Sequence, residues 1–101
     1  MSEFNMMNIH KDFREDIDKA IKILKEAGCD EIFLFGSVAY NKVKKNSDID
    51  IAVKGCPKEI FFRILGTLLI TLEHSVDLVD LDGNDRFGNF LKENGELIRV
   101  A

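Results

Sequence analysis

Two aspartates and a glycine–serine pair give this sequence its clearest chemical signal. Asp48 and Asp50 flank an isoleucine, and ten residues separate them from Gly36-Ser37. Gly36 ends a short apolar run, where a glycine lets the backbone approach a ligand closely and the amides that follow can donate to a phosphate. The Ser37 hydroxyl adds another donor. We therefore expect this segment to hold a nucleotide and its metal ions.

The spacing of the aspartates indicates how they would bind metal. They alternate with Ile49, Ile51 and Val53, which predicts a strand with both carboxylates on one face and their Cα atoms about 6.5 to 7 Å apart. Such a pair can bridge two divalent ions, which stand about 3.5 to 4 Å apart in phosphoryl-transfer sites. We expect Mg²⁺, because oxygen ligands are available and no His or Cys is spaced to compete. The alternative is a solvated face of an edge strand.

A third carboxylate is needed to hold an ion near the attacking hydroxyl and to take its proton. Asp77 and Asp80 are the candidates, and their spacing of three residues on a predicted strand makes them face opposite ways. If Asp77 shares a face with Val79 and Leu81, Asp80 lies near the strand end. The opposite orientation would bury Asp77 among core side chains, so we assign the role to Asp77.

Length and charge limit the possible classes of function. A chain of 101 residues, 46% hydrophobic and 32% charged, is the size of one globular domain, and we expect a single domain over residues 1–101. The net charge of −4 makes nucleic acid an unlikely partner, because nucleic-acid-binding domains usually carry a basic excess. Residues 42–63 nevertheless hold six bases and three acids, which favours a phosphate-bearing ligand near the aspartate pair.

The sequence also indicates no membrane association. Met1–Asn8 has no basic region followed by an apolar stretch, and the apolar run Ile60–Leu72 is interrupted by Arg63 and shorter than the roughly 20 residues that span a bilayer. Cys29 and Cys56 are far apart and form no Cys-x-x-Cys motif, so neither a disulfide framework nor a zinc site is expected. We expect a soluble, cytoplasmic protein with reduced thiols.

Hydrophobic periodicity predicts helices and strands in strict alternation. Glycines end the first helix and the first strand, and the charges of the last strand place it at a sheet edge. The predicted helices are His10–Ala27, Val38–Val43, Pro57–Leu72 and Asp85–Glu93, and the predicted strands are Glu31–Phe35, Asp48–Val53, Ser75–Leu81 and Glu96–Val100.

The helix that begins at Pro57 is apolar almost all round. This pattern predicts burial on more than one side, and Gly66 marks a position where another helix can approach closely. Its large apolar residues form either part of the core, which is our expectation, or a partner-binding face: Phe61, Phe62, Leu65, Leu68, Leu69 and Leu72.

Gly36-Ser37, ten residues and then Asp48-Ile49-Asp50 together resemble the signature of the polymerase-beta-like nucleotidyltransferase superfamily. The resemblance covers nearly the whole chain and is greatest to the minimal members. It implies an α/β (α+β) single-domain fold, with a mixed sheet of about four strands and helices packed on one face. It also implies that Asp48 and Asp50 bind two Mg²⁺ ions, that Asp77 is the third carboxylate, and that Gly36 and Ser37 contact the triphosphate.

The sequence departs from the family pattern at Tyr40 and Asn41, where many minimal members have Arg and then Gly. Lys44 or Lys45, in the loop before the aspartates, is a candidate for the missing charge. We assign Lys45 to nucleotide binding.

The resemblance implies a nucleotidyltransferase that transfers a nucleoside monophosphate to a hydroxyl, with ATP as the expected co-substrate and AMP as the group transferred. Minimal members are often encoded beside HEPN-type helical ribonuclease toxins, so it also implies an antitoxin that modifies such a partner protein. A chain this short has little room for an acceptor pocket of its own. Transfer to a small molecule and a non-catalytic module that neutralises its partner by contact are the alternatives.

Overall fold

A computed structural model describes residues 9–36, 47–82 and 97–101. These ranges contain two α-helices, four strands and a short 3₁₀ turn at Lys58–Ile60. The elements are α1 (Lys11–Glu26), β1 (Glu31–Phe35), β2 (Ile49–Lys54), α2 (Phe61–Thr71), β3 (Val76–Asp80) and β4 (Ile98–Arg99). The predicted helices Val38–Val43 and Asp85–Glu93 lie outside the described residues.

The four strands form one mixed sheet in the order β3-β2-β1-β4. β1 runs antiparallel to β2 and to β4, whereas β2 and β3 are parallel. Two predictions are confirmed: the sheet is mixed and four-stranded, and β4 lies at its edge. Because β2 and β3 are parallel, their N-terminal ends lie side by side at one end of the sheet, and the C-terminal end of antiparallel β1 lies there too.

One face of the sheet is covered by both helices. The alternate residues Ile49, Ile51 and Val53 of β2 are at most 1% exposed, as their spacing predicts. They belong to the main core together with Ile17 and Leu24 of α1 and Ile64 and Leu68 of α2. The predicted placement of helices on one face is confirmed for α1 and α2.

The opposite face of the sheet carries a smaller apolar cluster. It consists of Phe35, Ala52, Val79 and Leu81, with Phe33 and Leu97 packed against it. Because side chains alternate along a strand, Asp50 shares this face with Ala52, and Asp77 shares it with Val79. The fold thus separates a helix-covered face from a face that carries two aspartates.

The prediction that α2 is buried on more than one side is wrong. Only Ile64 and Leu68 are buried along this helix, whereas Phe62 and Ile70 are more than four-fifths exposed. A Cβ added at Gly66 would have no neighbour within 4 Å, so among the described residues this glycine marks no close helix contact. Periodicity shows which residues are apolar, but not whether the chain has another element to cover them.

The two cysteines are distant in sequence but close in space. Both are free and buried, and the antiparallel pairing of β1 with β2 brings the segments that carry them together. Burial, and then a hydrogen bond with Cys56, raise the pKa of the Cys29 thiol to about 12, so the thiol is protonated at neutral pH. In the described part of the chain, no helix has the length and apolarity needed to cross a membrane.

Candidate active site

The parallel pairing of β2 with β3 brings two aspartates side by side. Asp50 and Asp77 are direct partners in the register of these strands, flanked by the pairs Ile49–Val76 and Ile51–Leu78. Neighbouring strands lie about 4.8 Å apart, so two carboxylates on the same face stand within reach of one ligand. Nonlocal pairing therefore joins residues that lie 27 positions apart.

Asp48 lies one residue before β2, near the same sheet edge. Its side chain is exposed, as is that of Asp77, while Asp50 is only partly exposed. Burial, and then the negative charges of Asp77 and Asp48, raise the pKa of Asp50 to about 6. Ionised Asp50 is therefore destabilised by its surroundings, as expected where several carboxylates share a site.

Gly36 lies directly against the Asp50 carboxylate. Phe35, the last residue of β1, pairs with Asp50 across the sheet, and Gly36 follows with φ +69°, a left-handed conformation that favours glycine. A Cβ at this position would clash with Asp50 Oδ2. The sequence predicted a close approach of this backbone to a ligand, and the structure places the same backbone against a carboxylate of the site.

Asp80, the alternative to Asp77, lies at the far end of β3. It pairs with Val53 in the register, three positions away from the Asp50–Asp77 pair, and its carboxylate accepts a hydrogen bond of 2.9 Å from the Asp82 amide. Alternation also directs it to the other face of the sheet from Asp77. Of the two candidates, Asp77 is the one that shares a position and a face with Asp50.

The donor set can be compared with what a metal ion requires. Within residues 9–36, 47–82 and 97–101, no three His, Cys, Asp or Glu side chains converge closely enough to hold a metal ion as they stand. The chemistry nevertheless fits a hard divalent cation, because the available ligands are carboxylate oxygens. A cation bound there would also offset the two effects that raise the pKa of Asp50, which are burial and then the repulsion from Asp77 and Asp48.

The other predicted site residues, Ser37 and Lys45, lie outside the described residues, as do Lys44, Tyr40 and Asn41. Their roles stay predictions.

Only some of the basic residues predicted to lie around the aspartates belong to the described part of the chain. Those that do are not placed around the site. Lys54 ends β2 opposite Glu31, about 13 Å along the strand from Asp50. Lys58 and Arg63 belong to the 3₁₀ turn and to α2, which lies on the other face of the sheet. Closeness in sequence did not predict closeness in space here, because a strand extends by about 3.3 Å per residue.

A buried aspartate on α1 was missed by sequence reasoning. Asp16 is 3% exposed and accepts hydrogen bonds from the amides of Glu73 (3.2 Å) and His74 (2.9 Å). Its Oδ2 also lies 2.7 Å from His74 Nδ1, and the His74 ring stacks on Phe13 at 4.0 Å. Burial alone would raise the pKa of Asp16, but the hydrogen bonds from His74 and Glu73 outweigh it, and the pKa is lowered.

This contact fixes the turn that leads into β3, three residues before Asp77. Asp16 therefore anchors the start of the strand that carries one of the site carboxylates. The available signal was its position in the apolar stripe of α1, one residue before Ile17 and four before Ala20. A charged residue in such a stripe requires a buried partner.

Comparison with known proteins agrees with this arrangement. The family model described as polymerase beta, nucleotidyltransferase, matches residues 9–99. No curated protein matches the sequence with significance.

Several solved structures share the fold. A toxin–antitoxin structure with AMP-PNP has 29% identity and a TM-score of 0.66, covering 81% of this chain and 69% of that one. The tri-AMPylated HEPN toxin of Shewanella oneidensis in complex with MNT antitoxin has 25% identity and a TM-score of 0.61, covering 85% and 69%. A minimal nucleotidyltransferase has 22% identity and a TM-score of 0.68, covering 99% and 100%.

The family match spans every described element, including Gly36 and the three aspartates at one edge of the sheet. The chain belongs to the polymerase beta nucleotidyltransferase family.

Proposed function

We propose that this protein is a Mg²⁺-dependent nucleotidyltransferase that transfers AMP from ATP to a hydroxyl of a HEPN-type helical partner protein, and that it acts as the antitoxin of that partner. The observation that carries this proposal is the Asp50–Asp77 pair, in register on adjacent strands and directly beneath Gly36. Asp48 and Asp50 are proposed to bind both metal ions, and Asp77 one of them.

The positions of the described residues support the roles that we propose for them. Asp77 is an exposed carboxylate beside Asp50, and we propose that it takes up the proton of the attacking hydroxyl. Gly36 has no side chain of its own, and its backbone lies against the Asp50 carboxylate, so we propose that a triphosphate can approach this backbone closely. We propose that Ser37 and Lys45 also contact the triphosphate. Bound Mg²⁺ would neutralise phosphate charge and orient the reacting groups.

The overall transfer is balanced by pyrophosphate release. The acceptor oxygen forms a bond to the α-phosphorus, the bond from that phosphorus to the bridging oxygen of pyrophosphate breaks, and the hydroxyl proton passes to the carboxylate. The protein does not change oxidation state, so no further co-reactant is needed. Each cycle consumes one ATP and releases one pyrophosphate.

The choice of donor and acceptor is supported by the solved relatives. One of them is a toxin–antitoxin structure with AMP-PNP, and another contains a HEPN toxin that carries AMP groups beside its MNT antitoxin. The presence of all three carboxylates in this chain supports catalysis over a purely structural role. We propose that the protein works in the cytoplasm, where its ATP and its toxin are found.

The test is label transfer to the HEPN-type protein encoded beside this chain. With Mg²⁺ and ATP labelled at the α-phosphate, we expect label on the partner, and with ATP labelled at the γ-phosphate we expect none. Asp48→Asn and Asp50→Asn should each reduce transfer by at least about a hundredfold, since each removes a charge that stabilises the transition state. Asp18→Asn, an exposed carboxylate on α1, is the matched control.

Labelled CTP, GTP and UTP in the same assay identify the preferred base. If Asp50→Asn neutralises the partner as well as the wild type does, without transferring label, the chain is a contact inhibitor and the proposed enzymatic role is wrong.

A further inference from the structure

The turn between α2 and β3 is held by Asp16, from the helix-covered face of the sheet. Asp16 Oδ1 accepts a hydrogen bond of 3.2 Å from the Glu73 amide, and Oδ2 accepts one of 2.9 Å from the His74 amide. His74 Nδ1 lies 2.7 Å from the same Oδ2 and donates to it when Asp16 is ionised. Three donors therefore converge on one buried carboxylate, and they fix the turn from which β3 starts.

The same turn also holds the first residue of β2. The Ser75 carbonyl, at the end of the turn, accepts a hydrogen bond of 2.8 Å from the Ile49 amide. Ile49 is fully buried and lies between Asp48 and Asp50 in the sequence. One backbone hydrogen bond thus connects the turn that Asp16 holds to the part of β2 that carries two of the site carboxylates.

The buried residues that start β2 and β3 are coupled to the carboxylates on the other face of the sheet. Ile49 and Val76 are partners in the register, and both belong to the core that α1 and α2 cover. The next pair in the register is Asp50–Asp77, which faces the other way because side chains alternate along a strand. A displacement of the Ile49–Val76 pair would therefore move both carboxylates.

We propose that Asp16 is a positioning residue for nucleotidyl transfer, which sets the separation of the β2 and β3 carboxylates through the turn at residues 73–75. This inference rests on the proposed function, because it takes those carboxylates as the ligands of the metal ions. Asp16 acts through the backbone, from the opposite face of the sheet, and not on the substrate itself. A carboxylate is required because its two oxygens accept from three donors, whereas the side-chain amide of asparagine has one acceptor oxygen.

The position of the carboxylates at the ends of the strands makes such support necessary. Asp50 and Asp77 are each the second residue of their strand, and the ends of strands open more readily than their centres. A displacement of about 1 Å at the reacting groups can reduce a rate by about a hundredfold. Asp16 opposes this opening from a rigid part of the core, where the ring of Phe13 stacks on that of His74 at 4.0 Å.

Replacing Asp16 by Asn should slow the transfer more than it weakens ATP binding. Gly36, which is proposed to contact the triphosphate, follows β1 and neither of the two strands that the turn holds. We expect kcat for label transfer to the partner to fall at least about tenfold, with the KM for ATP within about threefold of the wild-type value. In a calorimetric titration with Mn²⁺ alone, the dissociation constant should rise at least about fivefold, because the carboxylates converge less well.

Ile32→Val is the matched control for a loss of stability alone. It removes a buried methyl group and so lowers stability to a comparable extent, but Ile32 lies three register positions from the Phe35–Asp50 pair. At a low temperature, where circular dichroism shows that the variants are folded, it should keep the kcat and the Mn²⁺ affinity of the wild type. If Asp16→Asn behaves like Ile32→Val in both quantities, Asp16 contributes to stability alone and the proposal is overturned.

Two substitutions of His74 test the same contact while Asp16 stays in place. The side-chain nitrogen of asparagine takes nearly the position of His74 Nδ1 and can donate to Asp16, whereas alanine cannot. We expect His74→Ala to lose at least about threefold in kcat and in Mn²⁺ affinity, and His74→Asn to recover most of that loss. Equal values in these two variants overturn the proposal, also where Asp16→Asn does not fold. If the wild type binds Mn²⁺ but transfers no label, the proposed function fails, and the Mn²⁺ affinities of the variants decide the role of Asp16.

Discussion

Replacing Asp50 by Asn should stabilise the metal-free protein at neutral pH while abolishing its activity. Burial and the charges of Asp77 and Asp48 raise the pKa of Asp50 to about 6, from an ordinary value of 3.8. The folded protein thus binds the Asp50 proton more tightly than the unfolded chain does. Ionisation of this group opposes folding, and an uncharged amide at the same position removes that penalty.

The size and pH dependence of the effect follow from linkage. A rise in pKa from 3.8 to about 6 corresponds, at about 1.4 kcal/mol per pH unit, to about 3 kcal/mol. Between these pH values only the folded state retains the proton, so the free energy of unfolding falls as pH rises. Asp50→Asn should therefore match the wild type near pH 4 and exceed it by about 2 to 3 kcal/mol at pH 8. The lower value allows for the partial exposure of the carboxylate.

Urea unfolding with EDTA, at about pH 4 and pH 8, measures this difference. Asp18→Asn is the control, since it loses only an exposed ion pair with Lys22, worth about 0.3 to 0.5 kcal/mol. Saturating Mg²⁺ should narrow the gap at pH 8, because only the wild type carries the full ligand set. An Asp50→Asn variant that is less stable than the wild type at pH 8, or whose advantage does not change with pH, would refute this reasoning.

Three further substitutions test the supporting structure. Gly36→Ala should cost at least about 1 to 2 kcal/mol in urea unfolding and reduce label transfer at least about tenfold, because of its φ of +69° and the contact with Asp50. Gly66→Ala should instead gain about 0.5 to 1 kcal/mol, since its Cβ enters open space on a helix. Asp16→Asn should lose about 1 to 3 kcal/mol at neutral pH, because an amide cannot replace a carboxylate that accepts from His74 and Glu73. The pKa of Asp16 is lowered, so the stabilisation by its carboxylate is present above the ordinary pKa of 3.8 and disappears as pH falls through the lowered value. If Asp16→Asn lowered the free energy of unfolding equally at neutral and strongly acidic pH, this role of the carboxylate would be contradicted.

Local hydrophobic periodicity predicted the helices and strands that bury one regular stripe of side chains. The alternation of Ile49, Ile51 and Val53 defined β2, and the helical spacing of Phe13 and Ile17 defined much of α1. These signals succeed because the period of the backbone decides which side chains share a face. The mixed sheet and the side on which the helices pack followed from the family resemblance.

Features that depend on distant pairing were harder to predict. The face on which Asp77 lies became definite only with the parallel register that places it beside Asp50. The Asp16–His74 contact joins residues 58 positions apart, and no local pattern names the partner of a buried charge. The exposure of Phe62 and Ile70 could not be predicted either, because an apolar surface looks the same in sequence whether its own chain or another one covers it.

Label transfer by Asp77→Asn and Asp80→Asn, measured side by side, tests the proposed active site most directly. Both substitutions remove one carboxylate charge from β3, but only Asp77 shares a register position with Asp50. We predict that Asp77→Asn loses at least about a hundredfold of AMP transfer to the HEPN-type partner, and that Asp80→Asn stays within about threefold of the wild type. Retained transfer in Asp77→Asn, or an equal loss in both variants, would contradict the assignment of Asp77 as the third carboxylate.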